Sequence, residues 1–139
     1  MFTDTVTFYQ YQKVDGVESW KRIVIKGCQW SSEVIKQISS DGKLTAEKAV
    51  NITIPTQTAV MPGKYMDYRL YATQKPTDGF FTINPTTNKD VAVLGECEAE
   101  ISKDYTLSQL IREHIAATVS AVTDNTGRAR LKNIKVVAR

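Results

Sequence analysis

The chain has 139 residues, 42% of them hydrophobic and 24% charged, with a formal net charge of +3. That is one domain of ordinary globular composition, which excludes a disordered chain, a two-domain cleft enzyme and a nucleic-acid binder argued from charge alone. Two cysteines and one histidine leave no disulfide framework and no Cys- or His-based metal centre.

No stretch approaches the ~18 apolar residues of a membrane span. The start Met1-Phe2-Thr3-Asp4 lacks the basic and apolar regions of a signal peptide, so a soluble intracellular protein is expected. Residues 3–11 are dense in β-branched and aromatic side chains, which fit a pleated surface and crowd a helix. Asp15-Gly16 supplies the residues of a tight turn and 18–26 resume the β pattern, so 3–26 reads as a hairpin. The stretch 27–38 is ambiguous. Cys28, Trp30, Val34 and Ile38 share a strand face, whereas Trp30, Val34, Ile35 and Ile38 share a helix face. Gly27 tips the reading to strand, as a bulge or bend between consecutive strands. A turn cluster follows at 39–43.

Val50, Ile52 and Ile54 then alternate on one side of a strand, and Pro55 ends it by removing a ladder donor. Residues 56–79 contain Pro62-Gly63, Pro76 and Gly79, with Tyr65, Tyr68, Leu70 and Tyr71 between. This reads as a long, partly ordered excursion, of the kind that is usually functional or a partner-binding arm. The β-rich runs 80–83 and 90–95 flank a polar stretch and read as a second hairpin. Glu96, Glu98 and Glu100 alternate with Cys97 and Ala99, which places the carboxylates on one side of an extended segment. Thr106 and Gln109 form a capping box that opens a helix over 107–114, with Leu107, Leu110, Ile111 and His114 as its apolar stripe. Residues 115–123 return to β, 124–127 form a turn, and 128–139 close the chain as a strand carrying Arg128, Arg130, Lys132, Lys135 and Arg139. The sum is mainly β: a single domain over 1–139, most economically a small, mostly antiparallel β-barrel with one inserted helix.

Chemistry is sparse. Gly-rich phosphate loops and the nucleophile elbow are missing. A catalytic Cys97 would need His114 as base, and His114 falls on the apolar stripe of the helix. Cys28 and Cys97 read as buried thiols rather than a disulfide. The three glutamates match neither a glycosidase pair nor a calcium loop and read as an acidic edge. The basic C-terminal row comes with no nucleic-acid-reading motif. No catalytic, metal or cofactor-binding residue is therefore expected. Tyr65, Tyr68 and Tyr71, three residues apart, suit a one-sided contact surface.

Four stretches together carry a resemblance. They are Val6-Thr7-Phe8-Tyr9; Trp20-Lys21-Arg22 with Gly27-Cys28-Gln29-Trp30; Val50-Asn51-Ile52-Thr53-Ile54-Pro55; and Thr123-Asp124-Asn125 followed by Arg130-Leu131-Lys132-Asn133-Ile134-Lys135-Val136-Val137. They resemble small proteins encoded in the structural-gene clusters of tailed phages and prophages of Gram-positive bacteria. The order of elements is similar to that of head–tail stopper, or connector, proteins. The resemblance implies a non-enzymatic virion protein of the neck, assembled in the host cytoplasm, with no cofactor and no membrane. Its implied partners are copies of itself in a ring, the portal–adaptor and tail proteins, and, non-specifically, packaged DNA. The 56–79 loop would gate the channel or grip neighbours. Chain length and the 107–114 helix leave the tail-terminator class open, although terminators usually begin with a helix. On this reading Tyr65, Tyr68, Tyr71, Glu96, Glu98, Glu100, Arg128, Arg130 and Lys132 are subunit-interface residues, the acidic row of one copy meeting the basic row of the next. From a different class, a free-standing β-barrel binding module would show a concave apolar pocket.

Overall fold

The computed structural model describes residues 3–38, 42, 44–74, 79–102, 104–125 and 132–139, with backbone alone at Val14, 33–38 and 44–48. Strands β1 (Asp4–Val14) and β2 (Val17–Ile38) pair antiparallel down to Val14 opposite Val17. Asp15 and Gly16 between them both have positive φ, 51° and 79°, the turn whose twist matches that of the strands it joins. β2 is one continuous strand of 22 residues rather than two consecutive ones. The bend expected at Gly27 is present inside it: φ is 88° there, and the register slips so that Asp4 faces Cys28 while Thr5 faces Lys26. Ile23 and Ile25 are buried before the bulge and Cys28 after it, so the inward-facing parity flips at Gly27. The bulge turns the strand around a corner, and from Gln29 onward β2 pairs with β3 (Leu44–Pro55).

The remaining elements are β4 (Lys64–Tyr65), α1 (Tyr68–Gln74), β5 (Phe80–Phe81), β6 (Val91–Leu94), α2 (Leu107–Glu113), β7 (Ala116–Asp124) and β8 (Asn133–Ala138). Six strands close an antiparallel barrel in the order β1-β2-β3-β8-β7-β6. The expected mainly β architecture and barrel are therefore what forms. Alternation fills the interior: Val6 and Phe8 from β1, Ile23 and Ile25 from β2, Val50, Ile52 and Ile54 from β3, Ile134 and Val136 from β8.

Two expectations fail. The runs 80–83 and 90–95 do not form a hairpin. β5 pairs parallel with β4, and β6 pairs with β1 and β7. Phe81 and Ile83 are drawn into the barrel core, where Ala59, Met61 and Tyr65 pack beside them, so burial overrides the local hairpin pattern. The chain also holds a second helix, α1, inside the 56–79 excursion. Its signal is Asp67, whose carboxylate accepts the Arg69 amide at 2.9 Å and whose carbonyl accepts the Tyr71 amide at 2.9 Å, an N-cap in both respects.

α2 sits where the capping box placed it, with the Gln109 amide donating to the Thr106 hydroxyl at 3.3 Å. Its apolar stripe is narrower than expected. Leu110 is buried and Leu107 half-buried, while Ile111 and His114 are exposed and His114 is the C-cap. Two helical turns touch the barrel through little more than one residue. Of the 39–43 turn only Gly42 (φ 84°) is described, and the 124–127 turn lies outside the described residues beyond Asn125.

A second apolar layer covers the outside of the barrel. Tyr9, Val91, Val93, Cys97 and Leu110 form it, with Trp20, Ala99, Ile101, Tyr105, Leu107 and Ala116 at its margin. β1 thus feeds two cores, its even residues facing the interior and Tyr9 the outer layer.

Candidate functional site

The segment after β6 crosses the outer face of β1. The Gly95 amide donates to the Thr5 carbonyl. The Thr7 hydroxyl donates to the Gly95 carbonyl at 2.7 Å and accepts the Cys97 amide at 2.9 Å. The Tyr9 hydroxyl donates to the Ala99 carbonyl at 2.5 Å, and Arg22 donates to the Cys97 carbonyl at 2.9 Å. Burial first, and then the neighbouring Cys97 side chain, push the Tyr9 hydroxyl well above its ordinary range. Held this way, the segment turns Cys97 and Ala99 inward and leaves Glu96, Glu98 and Glu100 exposed, as their alternation predicted. None of the three pairs with a described cation.

The basic row is only partly described. Arg128 and Arg130 lie outside the described residues. Lys132 is half-buried, and Lys135 points outward from β8 between the buried Ile134 and Val136. In the six-strand order β8 stands across the barrel from β1, and β3 across from β6. The acidic row and Lys135 therefore occupy opposite sides of the domain.

The three tyrosines do not share one surface. Tyr65 turns into the core edge-on to Phe81, ring centroids 5.9 Å apart. Its hydroxyl, raised by burial, lies beside that of Thr82, near enough to be influenced by it but outside hydrogen-bond geometry. Tyr68 and Tyr71, one turn apart on α1, line a groove of about 580 Å³. Its other wall is the end of β1, from Gln10 to Lys13, and its floor includes Thr82 and Asn84. Asp90 holds this end together. Its carboxylate accepts the Tyr11 amide at 3.1 Å, the Asn84 amide at 2.9 Å and the Thr87 hydroxyl at 3.3 Å. Burial raises its pKa to about 6 against the lowering effect of those donors. Lys89 clasps the hairpin tip, with Nζ 3.0 Å from Glu18 and 4.7 Å from the Tyr11 ring centre.

Cys28 and Cys97 are free and buried, one in the barrel interior and one in the outer layer. Desolvation pushes the Cys28 thiol up to about 12, which leaves it a small apolar side chain. His114 is not on the apolar stripe expected for it but is exposed as the C-cap of α2. Its Nε2 is 3.3 Å from the Tyr105 hydroxyl, which donates to Glu113 at 2.5 Å on the exposed end of α2. No described group of three or more His, Cys, Asp or Glu residues is placed to hold a metal ion, and no described helix is long and apolar enough to cross a membrane.

A family of unknown function, DUF6751, matches residues 1–139. The chain belongs to that family. No curated protein and no solved structure matches it. In this DUF6751 protein the groove and its Asp90 anchor have no sequence signature. A single aspartate after a polar loop looks like any turn residue, and only the fold brings it against Tyr11.

Proposed function

We propose that the protein is a structural subunit of a tailed-phage neck, a head–tail connector of the stopper type whose copies form a ring between the portal–adaptor complex and the tail. The observation that carries the reading is the placement of its charges. A row of exposed carboxylates with no cation partner among the described residues lies over β1, and a lysine-bearing face lies across the barrel on β8. Unlike surfaces on opposite sides of one domain meet head to tail, and such contacts close into rings. Each exposed ion pair is worth at most about 1 kcal/mol, so the rows set register and speed encounter while apolar contacts supply the affinity. The sequence resemblance to phage structural proteins supports the setting, and the barrel interior is filled by side chains, so a free-standing binding barrel would have to use the outer groove beside Tyr68 and Tyr71. The double reversal Glu96→Lys with Glu98→Lys tests the reading. Rings should disappear from cryo-electron micrographs while the circular dichroism spectrum stays that of the wild type. Rings that form as before in the reversed protein contradict it.

A further inference from the structure

β1 is paired on both sides only as far as Tyr9. β6 accompanies it from Val6 to Tyr9 and ends there at Val91, while β2 continues to Val14. In an antiparallel ladder the backbone groups of successive residues point alternately to the two sides. The Thr5 carbonyl accepts Gly95 and the Tyr11 amide donates to Asp90, both on the β6 side. The Tyr11 carbonyl and both backbone groups of Lys13 therefore face that side too, and no described group bonds them. They open into the groove lined by Tyr68, Tyr71, Thr82 and Asn84. At about 580 Å³ it falls in the size range of clefts that take a ligand or a stretch of peptide.

A second unpaired edge lies at the other end of the barrel. β3 pairs with β8 only from Val50 to Pro55, and β1 reaches β2 only at Cys28. Between Glu33 opposite Ala49 and Ile38 opposite Leu44, β2 and β3 pair with each other and with no third strand among the described residues. Those six pairs make a ribbon roughly 20 Å long at ~3.3 Å per residue. A two-stranded ribbon with no sheet beside it is marginal in water, and its free edge is a template for another strand. The Trp30 amide points to the β1 side, where it donates to Asp4. By alternation Val34, Lys36 and Ile38 turn their backbone groups to that same open side.

We propose that the β2 edge of this ribbon, Glu33–Ile38, adds as a strand to the open edge of β1 in a second copy of the chain. The donor strand is β2 rather than β3 because Val34, Ile35 and Ile38 are strong strand formers, while Leu44-Thr45-Ala46-Glu47-Lys48 holds one. A second copy must supply it, because ribbon and groove sit at opposite ends of the same β1. Tyr68 and Tyr71 then flank the incoming strand, main-chain bonds give it affinity, and the contact, like that of the charged rows, joins unlike surfaces of successive subunits. This inference rests on the reading that the chain assembles with itself, not on where it assembles.

Two proline variants test it by sedimentation velocity. Lys13→Pro removes the amide of the accepting edge and Lys36→Pro that of the donating edge. Neither amide serves the β1–β2 or β2–β3 ladder, and proline is tolerated at strand edges. Lys36 lies beyond the barrel, so its variant folds independently of how the barrel answers Lys13→Pro. Each variant alone should associate at least ~10-fold more weakly than the wild type, while Lys13→Ala, which keeps the amide, should associate normally. An equimolar mixture of the two proline variants should form dimers and stop there, because one intact ribbon meets one intact groove. Proline variants that assemble like the wild type overturn the strand contact and leave the charged-row contact standing, and a mixture that stays monomeric overturns the strand contact as well. A wild type that is monomeric at millimolar concentration removes both.

Discussion

Phe8 and Tyr9 are neighbours in sequence and belong to different cores. Phe8 faces the barrel interior, sealed by six strands and by Phe81 and Ile83 from the run that follows the excursion. Tyr9 faces the outer layer, where a strand-free segment and a two-turn helix are laid over β1 and β6. The interior is built from alternation on long strands and defines the fold. The outer layer hangs from a few specific bonds and carries the acidic row. The interior should therefore fail globally, and the layer locally.

The largest effect expected is from Phe8→Ala, which empties ring-sized space in a closed core and should cost about 3–5 kcal/mol, seen as one cooperative shift in urea unfolding by every probe. Leu110→Ala should cost about 2–4 kcal/mol. Hydrogen exchange should then rise over 96–113 while the β2–β3–β8 amides stay protected, and equal loss of protection on both sides would erase the distinction between the layers. Asp90 adds a pH dependence. Its folded pKa of about 6 lies above the ordinary aspartate value of 3.8, so its stabilising protonated form is fully present below about pH 4 and is lost as pH rises through 6. The loss is of order 3 kcal/mol. Asp90→Asn should flatten that part of the pH profile of the urea midpoint, and an unchanged slope between pH 4 and 6.5 would contradict the assignment. The smallest effect expected is from Tyr9→Phe, which leaves the Ala99 carbonyl without its donor and should cost about 1 kcal/mol, read as a small fall in melting temperature.

How far the sequence was legible follows the same division. Val50, Ile52 and Ile54, the Asp15-Gly16 turn and the Gly27 bulge announce themselves through period and turn chemistry, and each is where those rules put it. The glutamates also alternate as read, because an extended segment keeps a period of two even without a ladder. The failures lie where distant residues decide. Phe80 and Phe81 look like half a hairpin until the core claims Phe81, and Tyr65 looks like part of a contact stripe until it packs on Phe81. α1 was missed because its cap, Asp67, opens a helix with no buried residue, and so with no apolar period to see. The open edge of β1 cannot be read locally at all, since it depends on β6 ending at Val91.

The claim at the centre of this account is that opposite sides of one small barrel are made for each other. Light scattering after gel filtration, run across a wide range of loading concentrations, tests it most directly. The account predicts a mass that climbs with concentration to a plateau at one fixed multiple of 15.6 kDa. A mass of one chain at every concentration would contradict it.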